Sequence, residues 1–180
     1  MLSALAIPAI PAEAMSTNGE QRAARRNPTL DRLPPHSPEA EQAVLGCIMD
    51  DAATAVPDCI EVFQADYFYD LRHQEIYAAC LALYETKAPV NVISVMQWLK
   101  DRQKLEQVGG LDYLAQLEQN GLPGSSAAMF AETVRDKALL RRMIQACAGV
   151  VSDVYEHEGE VDEILDACER KILSISESRV

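Results

Sequence analysis

From residue 37 onward, apolar positions recur at steps of three and four, the period that lines up side chains on one face of an α-helix. Ala40, Ala43, Val44, Cys47 and Ile48 form the first such stripe. Ser37 is placed to cap this helix, Pro38 suits a first turn that needs no amide donor, and Glu39 and Glu41 favour the positive end of the helix dipole. A short helical stretch interrupted by Pro57 is expected from Ala52 to Val62. Asp66 then starts a turn that feeds a helix from about Asp70 to Thr86, with Ile76, Tyr77, Cys80, Leu83 and Tyr84 facing inward. Pro89 breaks the chain, and Asn91 caps a helix in which Val92, Val95, Met96 and Leu99 share one face, while Lys100 to Lys104 is its solvated end. Gly109 and Gly110 permit a tight entry into Leu111 to Gln119, where Leu111, Leu114 and Leu117 are expected to point one way.

Asn120 to Ser126, rich in Gly and Pro, reads as a hinge. Beyond it, residues 126 to 156 lack proline and predict one continuous helix of ~45 Å at ~1.5 Å per residue. Its apolar residues fall in two adjacent stripes, one through Phe130, Val134, Ile144 and Val151, the other through Leu140, Met143, Cys147, Val150 and Val154. Gly159 marks a turn. After it, Val161, Leu165, Cys168, Ile172 and Ile175 repeat as a heptad seam suited to an antiparallel partner, for which the preceding helix is the natural choice. No segment alternates long enough to force a sheet. The pattern therefore predicts an all-α protein: a flexible tail over 1–36, a compact helical-bundle head over 37–125 and a long projecting antiparallel helical hairpin over 126–180. Two such helices carry more apolar surface than one seam can hide. A second copy of the chain is expected to cover Phe130, Val134, Leu140, Met143, Ile144, Cys147, Val151, Val161, Leu165, Cys168, Ile172 and Ile175. A hairpin folded back on its own head is the alternative.

The 180 residues suffice for one domain with a tail, and 48% hydrophobic with 24% charged residues is ordinary for a globular chain. Aromatic content of 6% leaves the core to aliphatic side chains. The formal net charge is −12, and its distribution is uneven. The first 36 residues hold four arginines against three acidic groups, whereas the rest carries a net −13 that would repel phosphate backbones. Such acidity serves solubility or a basic protein partner, and Asp153 to Glu169, with eight carboxylates and no Lys or Arg, is its densest stretch. The five cysteines, Cys47, Cys59, Cys80, Cys147 and Cys168, sit singly in helical patterns, as reduced thiols of a cytoplasmic protein do. No stretch approaches the ~18 apolar residues of a membrane span. Leu2 to Ala14 lacks a basic flank and is broken by Pro8 and Pro11, so it reads as an extension, with Met15 as a second candidate start.

The chemistry the chain lacks is also informative. It has no Gly-Lys pair, so the phosphate-cradling GxxxxGK[ST] loop is missing, and it has neither GxSxG nor HExxH. His36, His73 and His157 read as structural or solvated, and Asp50-Asp51 and Asp162-Glu163 stand where helix starts favour acids. No catalytic, cofactor-binding or metal residue is expected in the fragment. Two other readings compete: a nucleic-acid-binding helical domain using Lys100, Arg102 and Lys104 or Arg141 and Arg142, and a small metal enzyme using Cys47, Cys59, Cys80 and His73, which lack ligand spacing.

The run from Pro34 to Gly46, Pro-Pro-His-Ser-Pro-Glu-Ala-Glu-Gln-Ala-Val-Leu-Gly, closely resembles the PPHSxEAEQxVLG opening of DnaB-type replicative helicases. Further likenesses follow in order: Asp66 to Tyr69 resembles that family's D-F-Y turn, His73 to Tyr77 its H-x-x-I-[YF] helix, and Val108 to Gly110 with Tyr113 and Leu114 its VGGxxYL segment. Ala131 to Val134, Leu140-Arg141 and Met143-Ile144 resemble its first hairpin helix; Ile164 to Asp166, Glu169 and Ile172 to Glu177 resemble the second. Asn91 departs from the usual Asp but keeps the capping role, Phe130 replaces a common Tyr, and Leu122 to Ala128 departs from an Asn-rich connection. The resemblance implies the amino-terminal collar domain of a hexameric ring that unwinds DNA. It implies self-association as a trimer of dimers through paired hairpins, and a docking surface for primase and possibly a helicase loader. ATP and Mg, and contact with single-stranded DNA, would belong to a RecA-like domain and linker that this chain lacks.

Overall fold

The computed structural model describes residues 32–60, 63–121 and 127–177, with side chains through Ser174. The tail before residue 32, Val62, most of the expected hinge and the Ile175 side chain lie outside the described residues. Contacts divide the chain into Met1–Pro34 and Pro35–Val180, and the second unit holds all the helices below.

Helix α1 (Pro38–Asp50) is capped by the Ser37 hydroxyl, which accepts the Ala40 amide at 3.4 Å. It is buried almost throughout, so it is the spine of the head. Helix α2 (Ala52–Ile60) keeps Pro57 inside it and runs on without the expected interruption; Pro57 itself is exposed. A 3-10 turn (Ala65–Tyr67) leads to α3 (Leu71–Glu85), whose N-cap Asp70 accepts the Arg72 amide. Helix α4 (Val92–Asp101) opens on a reciprocal box in which Asn91 accepts the Ser94 amide and Ser94 returns a bond to the Asn91 amide. Gly109 and Gly110 take positive φ angles of 102° and 71° at the entry to α5 (Gly110–Gln119), where an L side chain would be strained. Within α5, Leu114 and Leu117 are buried but Leu111 is 47% exposed, so only two of the three expected leucines face the core.

The core joins Val44, Leu45, Ile48, Ile76, Leu99, Leu114 and Leu117, all fully buried. It is not purely aliphatic. Phe63 stands edge-on to Tyr67, Phe68 and Tyr77 with centroids 4.9–5.5 Å apart, so a few aromatic residues are concentrated in one cluster. On the far side of α1 the backbone itself is the packing surface: a Cβ on Gly46 would lie 2.4 Å from the Leu117 carbonyl oxygen and 2.5 Å from the Gly121 nitrogen. Helix α6 (Ala127–Glu156) and helix α7 (Val161–Glu177) form the terminal hairpin. The architecture is all-α: a helical bundle followed by a long antiparallel hairpin, with no strand among the described residues. No described helix is long and apolar enough to cross a membrane.

Candidate interaction surface

Helix α6 begins as part of the head. Ala127, Ala131, Val134 and Ala138 are buried in the core, and Phe130 packs against it. Val134 and Phe130, expected on the hairpin surface, are thus held by the head itself. From Leu139 to Ser174 no described residue is buried. Along α6, Leu140, Met143, Ile144 and Val151 are 45–55% exposed, and Cys147 is exposed as well. Along α7, Val161, Leu165 and Ile172 are 51–67% exposed and Cys168 is half-buried.

The contact between the two hairpin helices differs from the expected heptad. Ile164, Ala167 and Cys168 are the half-buried positions of α7, matched on α6 by Ala146, Gly149 and Val150. A salt bridge from Lys171 to Asp153 holds the register, and the Lys171 ammonium also lies over Gly149. Small residues on α6 let the helices approach, and the bulky heptad residues Val161, Leu165 and Ile172 are left to the solvent. The expected apolar excess is therefore present, but the seam that was to be consumed within the hairpin is itself part of it.

Two arginines tie the hairpin to the head. The Arg141 guanidinium donates to the carbonyl oxygens of Pro35 at 2.8 Å and Tyr67 at 2.6 Å, and Arg142 pairs with Asp66 at 2.7 Å. Burial pulls the Arg141 pKa below its ordinary value, while Glu41 and Tyr69 pull the other way. Lys104 is paired with Glu75, and Arg102 lies 3.7 Å over the Trp98 ring. The cations that a DNA-gripping surface would need are largely engaged within the protein.

One buried arrangement escaped the sequence reading. Glu41, 2% exposed, accepts the amides of Tyr69 at 2.8 Å and Asp70 at 3.3 Å and lies 2.6 Å from His73 Nδ1. His73, 1% exposed, reaches the Tyr113 hydroxyl through Nε2 at 2.7 Å. A carboxylate that already accepts two amides is completed by a third donor, which assigns a proton to Nδ1. The sequence of carboxylate, imidazole and hydroxyl resembles a nucleophile relay. It ends, however, on a phenol whose ring is covered by Arg72 at 4.5 Å, so it joins α1, α3 and α5 instead of presenting a reacting group. Burial raises the Tyr113 pKa, opposed by Arg72. The signal for Glu41 lay in its spacing: it precedes Leu45 by four residues and Ile48 by seven, within the buried stripe. No group of three or more His, Cys, Asp or Glu among the described residues could hold a metal ion.

Comparison with known proteins agrees with this architecture. The family model described as DnaB-like helicase N terminal domain matches residues 33–136. The chain is 36% identical over 149 residues to the replicative DNA helicase DnaB of Geobacillus stearothermophilus, covering 83% of this chain and 33% of that one. It is 38% identical over 150 residues to the DnaB of Pasteurella multocida, covering 82% and 32%. The chain thus spans about a third of the length of these relatives. The crystal structure of the N-terminal domain of DnaB helicase from Mycobacterium tuberculosis superposes with a TM-score of 0.73 at 34% identity, over 79% of this chain and 99% of that one. A DnaB-like replicative helicase described with its interactions with primase shares the fold at a TM-score of 0.63 and 22% identity, over 77% of this chain and 31% of that one. With a match over more than half its length, built on the same helical head, this chain belongs to the DnaB-like helicase N-terminal domain family.

Proposed function

We propose that this chain is the assembly and docking collar of a ring-shaped replicative helicase. Hairpins pair to make dimers, three dimers close a hexameric ring, and primase docks on the collar. A helicase loader is a further candidate partner. DNA unwinding, with ATP and Mg, belongs to the rest of the whole protein, which works in the bacterial cytoplasm and meets single-stranded DNA through its ring. One observation carries the reading: α6 and α7 together present Leu140, Met143, Ile144, Val151, Val161, Leu165 and Ile172 at about half exposure or more, a concentration of large apolar side chains of the kind that marks an association surface. Family membership and the primase-associated relative support it. Covering these seven side chains on each of two copies, at about half of the ~1.5–3 kcal/mol that full burial is worth because each is already about half covered, is comparable to or larger than the usual cost of association.

Light scattering of the whole chain tests this. The expected result is a dimer or a multiple of dimers that Leu165→Glu with Ile172→Glu reduces to a monomer, and a larger particle when the cognate primase is added. A strict monomer at high concentration, unchanged by those substitutions, would overturn hairpin pairing; a paired chain that ignores primase would remove only the docking role.

A further inference from the structure

A groove of about 660 Å³ lies on the head, with no hairpin residue in its lining, where the ends of α1 and α3 meet both ends of α2. Its apolar wall is built from Ile60, Tyr84 and Val90, and Ile60 is 52% exposed there. Its rim carries Asp50, Asp51 and Glu85 against a single ammonium, Lys87. Asp51 is partly occupied, accepting the Thr54 amide at the start of α2. Asp50, Glu85 and Lys87 form no ion pair with one another or with any described residue.

The helix ends add to this field. Helices α1 and α3 both terminate at the groove, and neither has a basic residue in its last turn. Each therefore presents the negative end of its dipole, equivalent to about half an elementary charge, with Lys87 just past the end of α3 as the one cation nearby. The α2 N-terminus offsets one such end and is already served by Asp51. The result is an apolar slot with a clear excess of negative potential, which suits an arginine or lysine flanked by an aliphatic side chain. A phosphate backbone would be repelled. A second copy of this strongly acidic chain is a poor charge match.

We propose that this groove docks a short basic segment of a partner protein, with an aliphatic residue against Ile60 and Val90 and a cationic head held by Asp50 and Glu85. The site is separate from the hairpin surface and does not depend on hairpin pairing.

The probe is a fluorescein-labelled dodecapeptide alternating arginine and leucine, titrated by anisotropy against the whole chain. Asp50→Lys with Glu85→Lys is expected to weaken binding more than tenfold, and Ile60→Ser several-fold. Glu158→Lys with Glu160→Lys, which removes equal charge at the hairpin tip, is expected to leave it unchanged. A peptide with serine in place of leucine is expected to bind several-fold more weakly. Folding of the groove variant is not at issue, since Glu85→Lys places a cation at a helix C-terminus; circular dichroism verifies this. Equal losses from the tip and groove variants, or indifference to Ile60→Ser, would reduce the binding to diffuse charge and overturn the proposal. A change in particle size from the groove variant alone, without peptide, would overturn it in favour of a contact between copies.

Discussion

The two halves of α6 lie on one continuous helix and meet opposite fates. In the half that enters the head, Ala127, Ala131, Val134 and Ala138 are buried and Phe130 packs beside them. In the outer half the apolar positions stand in solvent, with Leu140, Met143, Ile144, Val151 and Val154 at 45–55% exposure. Position along the rod separates the halves, since valine is buried at 134 and exposed at 151 and 154. Apolar residues near the head are covered by their own domain, whereas those farther out, left uncovered, indicate a surface kept for something outside it. The head is complete as a folding unit and the hairpin is not.

Substitutions can break this contrast, and the largest effect is expected inside the head. His73→Ala leaves the buried Glu41 carboxylate without its imidazole partner and should cost about 3–5 kcal/mol of folding free energy in urea denaturation. A cost below that of an ordinary surface change would mean that the head does not rely on this junction. Gly46→Ala comes next, because the new Cβ meets backbone atoms of Leu117 and Gly121 that cannot swing aside; a loss of about 1–3 kcal/mol or more is expected by the same measurement.

Alkaline pH should act on the core of the head. Burial pushes the thiols of Cys59 and Cys80 up to about 12 from 9.0, and burial moves the Tyr77 phenol up as well. These groups ionise in the unfolded chain before they do in the folded one. Their contribution is fully present below pH 9 and is lost as pH climbs toward 12, so the urea midpoint should fall steadily across that window. Cys80→Ala should flatten the slope; a slope that does not change would place its origin elsewhere. The smallest effect on folding is expected from Leu165→Glu, within about 0.5 kcal/mol for the dissociated chain, although it should abolish association. A large loss of monomer stability from that substitution would erase the distinction between a finished head and an unfinished hairpin.

Much of this was legible in the sequence. Ser37 and Asn91 each announced a helix start by chemistry that acts within a few residues, whereas Asp70, read as the first residue of its helix, is the cap. Periodicity reports which side of a helix is apolar, and it picked out the outer hairpin residues that the structure leaves exposed. Periodicity does not report what will cover that side, which is why Phe130 and Val134 were grouped with Leu140 and Ile144, and why the seam within the hairpin was assigned to Leu165 instead of Ile164 and Ala167. Glu41 was read from its local dipole, but its burial depends on Tyr69, Asp70 and His73, 28 to 32 residues away. The aromatic cluster around Phe63 was invisible to a percentage, because a mean composition cannot show that scarce rings gather in one place.

The Arg141 guanidinium grips the carbonyls before α1 and before α3 at once, just where α6 leaves the head. A torque on the hairpin therefore reaches the bundle at two anchor points far apart along the chain. Such a mount resists bending, so the rod and its base should turn together when a load is applied to the tip.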